Sequence, residues 1–317
     1  MRGLHRRAVL AGMAASIASV AHARPRARIA QKTGFASVPG GKVWWQKVGH
    51  GHKTPILTLH GGPGAGCDYL EPLSALAEGR SVIFYDQLGC GRSDSPPDES
   101  LYRFPRFVEE VDAVRAALHL DRIILYGHSW GSMLAIEYLL DRGGHGVEKL
   151  ILGGALASVP QATAGEMRLI GAMPEGTGAR LHQLERENRT DSPEYQRLVE
   201  LFYHLYLCRL EPWPAQLNKA VENLSKSPAY RIMNGPNEFT ITGNIKDWDR
   251  SRDLGAIRLP TLLITGEFDE VTLDCHETIR DGIAGSQLVV LKGCSHMAML
   301  EKPDTYNRTM RDFMIHR

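Results

Sequence analysis

The stretch Ile123-Ile124-Leu125-Tyr126-Gly127-His128-Ser129-Trp130-Gly131-Ser132-Met133-Leu134-Ala135 decides the fold. A strand-type apolar run enters a Gly-x-Ser-x-Gly turn, and a helix-type pattern leaves it. Glycines flank the serine because the backbone must fold back sharply, and a Cβ at either site would strike a neighbouring element. The Ser129 hydroxyl is then held clear of a sheet, near the positive end of the new helix, where a developing oxyanion is stabilised. Gly-x-Ser-x-Gly also occurs by chance. The strand before it and the helix after it are the context that makes Ser129 a candidate nucleophile.

Upstream, Pro55-Ile56-Leu57-Thr58-Leu59 reads as a buried strand running into His60-Gly61-Gly62-Pro63-Gly64. Consecutive glycines let the backbone approach a ligand closely. In serine hydrolases of this layout such a loop donates one oxyanion N–H, and the residue after the nucleophile donates the other. Those are Gly62, with Gly61 as the less certain choice, and Trp130. His60 is expected to order the loop. Ser81-Val82-Ile83-Phe84-Tyr85 is the next strand, and Asp86 after it is read as a local structural acceptor. Apolar spacing predicts a helix over residues 107–120. Gly40-Gly41 reads as a hairpin turn before a strand at Val43-Trp44-Trp45-Gln46-Lys47-Val48.

Downstream, Lys149-Leu150-Ile151-Leu152-Gly153 is a strand, and the alternation then stops. Residues 157–247 hold no convincing strand. Helices are expected near residues 181–187 and 195–208, and Pro212, Pro214, Pro228 and Pro236 break up the rest. Alternation returns with Thr261-Leu262-Leu263-Ile264-Thr265 and Gln287-Leu288-Val289-Val290-Leu291, and Pro303 opens a last helix. The expectation is an α/β hydrolase fold: a mostly parallel sheet covered on both faces, with a helical cap insertion. The core is 34–156 plus 248–317, and the cap is 157–247. An activated serine needs a base, and the base an orienting acid. In chain order after the serine, Asp269 and His296 occupy the loops after those two strands and complete a candidate triad. His128 is set aside, because neighbours on a sharp bend point apart.

The chain has 317 residues, a net charge of +1 and 43% hydrophobic residues. Near-neutral charge gives no electrostatic case for nucleic acid. No apolar run is long enough to span a bilayer. Residues 1–23 read as an export signal: Arg6-Arg7, a mildly apolar run to Val20, then Ala21-His22-Ala23 as a cleavage pattern. The twin arginine suggests the twin-arginine route to a bacterial periplasm or beyond it. Residues 24–33 look like a lead-in segment. Cys67, Cys90, Cys208, Cys275 and Cys294 show no zinc spacing, and no disulfide pair is named by sequence. Cys67, Cys90 and Cys294 lie in loops expected on the active face, where bulky thiol reagents would block activity by crowding.

Together, His60-Gly61-Gly62-Pro63-Gly64, Asp86-Gln87-x-Gly89-x-Gly91-Arg92-Ser93, Gly127-His128-Ser129-Trp130-Gly131 and Asn234-Gly235-Pro236-Asn237-Glu238-Phe239 resemble the prolyl aminopeptidase (proline iminopeptidase) family. The similarity is closest to the branch that contains the tricorn-interacting aminopeptidase, and it runs from about Thr33 onward. Ser132 departs from the pattern, since many relatives carry glycine there. The resemblance implies a serine exopeptidase that removes the first residue of a peptide, often proline, without metal or cofactor. It also implies that two glutamates bind the free amino end, and by motif these are Glu238 and Glu270. The physics agrees. A desolvated ammonium needs opposite charge and acceptors, and a prolyl N-terminus has two N–H donors that two carboxylates can satisfy. An esterase or amidase acting on small amino-acid derivatives or lactones remains an alternative, as does a non-catalytic ligand receptor.

Overall fold

The computed structural model describes residues 30–238 and 240–315. The expected signal segment and most of the lead-in lie outside the described residues. Among the described residues, eight strands form one sheet: β1 (Gln31–Val38), β2 (Gly41–Gly49), β3 (Ile56–Leu59), β4 (Ser81–Tyr85), β5 (Ile123–His128), β6 (Val147–Gly153), β7 (Thr261–Gly266) and β8 (Gln287–Leu291). Their order is β1-β2-β4-β3-β5-β6-β7-β8. The β1–β2 and β2–β4 pairs are antiparallel, and every pair beyond them is parallel.

The central strands are apolar on both sides because both sides are covered. Within β5, Ile123 and Leu125 enter one core with Leu57, Leu59, Leu150 and Leu263. Ile124 and Tyr126 enter the opposite core with Ile56, Ile151, Leu262 and Ile264. The helices α1 (Phe104–Ala117) and α2 (Trp130–Arg142) pack on the first face. The second face is covered by a 3₁₀ segment, Asp68–Leu76, and by the C-terminal helix.

The insertion is helical, as expected: α3 (Val159–Gly171), α4 (Thr177–Arg186), α5 (Pro193–Tyr206) and α6 (Ala215–Lys226). Ile170, Leu181, Leu184, Tyr195 and Phe202 give α3 to α5 a small core of their own. Leu217 and Ala220 of α6 instead join the main core beside Tyr69 and Leu73. The chain then closes through α7 (Leu273–Gly282), α8 (Ala298–Glu301) and α9 (Pro303–Ile315).

Three local expectations change. Gln31 to Thr33, read as lead-in, already belong to β1. That edge strand buries only Ala36 and Val38, so it carries almost no apolar signal. Helix α3 was not read from the sequence, and α6 went unread because proline was taken as a breaker. Pro160 sits instead in the first turn of α3, and Pro214 caps α6, positions where a missing N–H costs nothing. The hairpin turn is Pro39-Gly40, with Val38 opposite Gly41 and Gly40 at φ +93°.

Candidate active site

Loops that follow parallel strands emerge at one edge of the sheet. Ser129 follows β5, Gly61-Gly62 follow β3, Asp269-Glu270 follow β7 and His296 follows β8, so parallel pairing alone gathers them. Ser129 sits at φ 55°, ψ −124°, a strained bend for a residue with a side chain. Its N–H donates to the Gly153 carbonyl at 3.0 Å. A Cβ on Gly127 would lie 2.3 Å from the Gly131 carbonyl oxygen, and one on Gly131 would lie 2.1 Å from that of Leu59. Both glycines are therefore steric requirements of the bend. Ser132 is accommodated, because its hydroxyl donates to the Ser129 carbonyl at 2.6 Å.

His296 Nδ1 donates to Asp269 Oδ1 at 2.7 Å. Asp269 also accepts from Thr265 Oγ1 at 2.9 Å and from the Val271 N–H at 2.9 Å. Burial opposes ionisation of Asp269, but His296 and these donors outweigh it and hold the carboxyl below its usual range. Burial likewise disfavours the His296 imidazolium, yet Asp269, Glu270 and Glu238 raise it to about 9. The arrangement leaves Nε2 as the ring nitrogen directed away from Asp269.

In the glycine loop, the Gly61 N–H donates to the Tyr69 hydroxyl at 2.7 Å. The Gly61 N–H is thus already bonded, and the other candidate, Gly62, stands at φ +113° where only glycine is at ease. His60 does order the loop: Nδ1 donates to the Gly61 carbonyl at 2.9 Å, and Nε2 accepts from the Gln87 N–H at 2.9 Å. Gln87 Oε1 in turn accepts from Trp130 Nε1 at 2.8 Å and its Nε2 donates to the His60 carbonyl at 3.0 Å, so one amide side chain ties Trp130 to the start of the glycine loop. Asp86 is structural, as read: it accepts from the N–H groups of Cys67 and Arg92 and pairs with the Arg92 guanidinium.

Glu238 and Glu270 line the same cavity as Ser129, His296 and Gly62, a space of about 390 Å³ roofed by Tyr195, Val199 and Tyr203 of α5 and Leu217 and Leu224 of α6. Glu238 Oε1 accepts from the Tyr230 hydroxyl at 2.9 Å. Its loop is held by Asn234, whose carbonyl accepts from Thr242 and Gly243 and whose amide donates to the Asn237 carbonyl. Glu270 Oε1 lies 3.7 Å from His296 Nε2, while Oε2 is buried without a hydrogen-bond partner among the described residues. Burial raises both carboxyl groups, Glu270 to about 8. A buried acceptor without a partner among the described residues, Glu270 Oε2, in the same cavity as Glu238 suits a cation with several N–H donors.

The alpha/beta hydrolase fold family matches residues 54–303. A proline iminopeptidase of Thermoplasma volcanium is 42% identical over 284 residues, covering 89% of this chain and 96% of its own. One from Saccharolobus solfataricus is 41% identical over 266 residues, covering 83% and 86%. The crystal structure of a proline iminopeptidase from Mycobacterium smegmatis superposes with a TM-score of 0.85 at 31% identity, covering 90% and 98%. The chain belongs to the proline iminopeptidase family of α/β hydrolases.

Sequence reading of this family member missed several groups around the site. Tyr69 and His128 form a relay: the Tyr69 hydroxyl donates to His128 Nδ1 at 3.0 Å, and His128 Nε2 donates to the His296 carbonyl at 3.1 Å. Burial lowers His128 to about 3, so the neutral ring persists. The bend does turn His128 away from Ser129, but toward the base's backbone. Glu166 of α3 is a third buried acid, 5% exposed, with Oε2 unpartnered among the described residues. A signal existed: Val159, Ala162, Glu166 and Ile170 share the buried face of α3. The thiol expectation fails. Cys67, Cys90 and Cys294 are buried, line no part of the cavity, and burial pushes all three thiols up, Cys294 to about 11.

Proposed function

We propose that this protein is a serine exopeptidase that releases the first residue, proline by preference, from peptides with a free amino end. One observation carries the reading: two carboxyl groups, the buried Glu270 and the half-buried Glu238, share one cavity with Ser129 and His296. The ammonium of the substrate docks on that pair, which sets the first carbonyl carbon against Ser129. Ser129 Oγ attacks as His296 Nε2 takes its proton. The N–H groups of Gly62 and Trp130 hold the oxyanion, each worth about 10²–10³ in rate. His296 then protonates the leaving amine, and water releases the aminoacyl group by the same route in reverse. Asp269 keeps His296 in the tautomer that exposes Nε2.

The family name of the relatives and the apolar cavity favour a peptide leaving group over a lactone. A panel of N-terminal aminoacyl arylamides tests the reading. The proline derivative should give the highest kcat/KM, and a flat profile with faster ester than amide cleavage would favour the esterase alternative. We also infer export by the twin-arginine route from Arg6-Arg7 and Ala21-His22-Ala23. The mass of the protein recovered from a periplasmic fraction should correspond to a start near Arg24.

A further inference from the structure

The two carboxyl oxygens of Glu270 stand in different surroundings. Oε1 stands 3.7 Å from His296 Nε2, the nitrogen that must accept the serine proton. Oε2 is buried and unpartnered among the described residues. The two side chains are also fixed to each other through the backbone. The N–H groups of Glu270 and His296 both donate to the Tyr206 carbonyl, at 3.2 and 3.0 Å. That carbonyl lies in the last turn of α5, the negative end of its dipole, which adds to the field favouring a cation here.

The other titratable groups around His296 come from every side. Asp269 holds Nδ1, and Glu238 faces the cavity beside Tyr203 and Tyr230. The His128 ring lies 4.6 Å away, centroid to centroid. The charge of Asp269 acts on His276 of α7, and the charges of Glu270 and Glu238 act on Glu166 of α3. Among the described residues, no lysine or arginine lines the cavity. A buried cluster of acids needs positive charge or protons, and in the ligand-free protein the imidazolium is the cation at hand.

We propose that Glu270 gates the base: without substrate it holds protonated His296 by Nε2, and the substrate's N-terminal ammonium frees that nitrogen by taking over Glu270 together with Glu238. This rests on the aminopeptidase reading above. The step balances. The ammonium enters the acid pair as one positive charge, and the Nε2 proton leaves to solvent through the cavity mouth. The net charge of the cluster stays constant. Ser129 Oγ then bonds to the acyl carbon while its own proton fills the vacated Nε2. The raised affinity of His296 for its proton fits this arrangement. A blocked amino end therefore fails twice: it docks poorly and it leaves the base occupied.

An ester without an amino group, p-nitrophenyl acetate, reports on the base alone. In the wild-type protein at pH 7, added pyrrolidinium, the ring cation of a prolyl end without its acyl group, should accelerate acetate release severalfold and shift the rising limb of the pH profile downward. Glu270→Gln should cleave the acetate ester about tenfold faster than wild type at pH 7, one unit of histidine pKa being a factor of ten in free base. The same variant should lose most of its activity on proline p-nitroanilide and its response to pyrrolidinium. A merely structural Glu270 would slow both substrates. Wild-type acetate cleavage that pyrrolidinium leaves unchanged or only inhibits overturns the gate, and this arm decides even if the variant does not fold. Failure of wild type to cleave proline p-nitroanilide would instead reject the aminopeptidase reading.

Discussion

The Gly61 N–H donates to the Tyr69 hydroxyl at 2.7 Å, and this bond occupies one of the two candidate N–H groups of the glycine loop. The same hydroxyl donates onward to His128, whose ring reaches the His296 carbonyl. One phenol thus braces both the oxyanion loop and the base.

Tyr69→Phe should therefore act on kcat more than on KM. The Gly61 N–H and His128 Nδ1 both lose a buried partner, at a cost of about 1–3 kcal/mol each. Steady-state kinetics on proline p-nitroanilide should show kcat reduced about tenfold or more, a factor of ten being about 1.4 kcal/mol. An unchanged kcat would leave the relay without a catalytic part.

Gly131→Ala tests the nucleophile bend as a steric object. Its Cβ would lie 2.1 Å from the Leu59 carbonyl oxygen and 2.6 Å from that carbonyl carbon, both backbone atoms that cannot swing aside. Overpacking of this kind costs about 1–3 kcal/mol or more. Chemical unfolding should show that loss together with collapse of activity, since β3 and the oxyanion loop move with Leu59. Gly143→Ala is the control: nothing lies within 4 Å of its Cβ, and only its φ of +64° opposes the change.

The sheet and the positions of the three candidate triad residues were legible because parallel strands buried on both faces write continuous apolar runs, and each run here ends in a loop of unusual composition. Ser129, Asp269 and His296 follow three such strands. The oxyanion donor was half legible: the glycines announce the loop, but the bond from the Gly61 N–H to Tyr69, several residues away along the chain, shows only in the fold. Glu238 and Glu270 came from motif resemblance, and the geometry then supplied the cavity they share. The cap was least legible. Its prolines fix helix starts rather than ends, and its apolar faces divide between a private core and the main one. Edge strand β1 was silent because six of its eight residues are not buried.

The five cysteines are free and buried. The thiols of Cys67, Cys90 and Cys294 are pushed up by burial and stay protonated near neutrality, while the thiolate is the reactive form. Iodoacetamide at neutral pH should leave the native protein active and unmodified by mass, and label it only after unfolding. Rapid loss of activity in the native state would contradict the placement of these side chains.

Stability should fall on the alkaline side. His296 is raised from 6.5 to about 9, so its contribution is fully present below about 6.5 and lost as pH rises through 9. Glu270, raised from 4.5 to about 8 first by burial, costs stability as it ionises toward that value. Both signs agree. The melting temperature of the ligand-free protein should drop between pH 6.5 and 9, and Glu270→Gln should flatten that drop. A variant with a steeper decline than wild type would reverse the assigned sign.

The central claim is that buried carboxylates admit only chain ends with a positive nitrogen, and kcat/KM for proline p-nitroanilide against its N-acetyl form measures it most directly. Truncating one partner of a buried charge pair costs about 2–5 kcal/mol. Wild type should therefore prefer the free amine by about 10² or more, and the double change Glu238→Gln, Glu270→Gln should shrink that preference toward unity with the fold intact. Equal cleavage of both substrates by wild type, or an undiminished preference in the double variant, would contradict it.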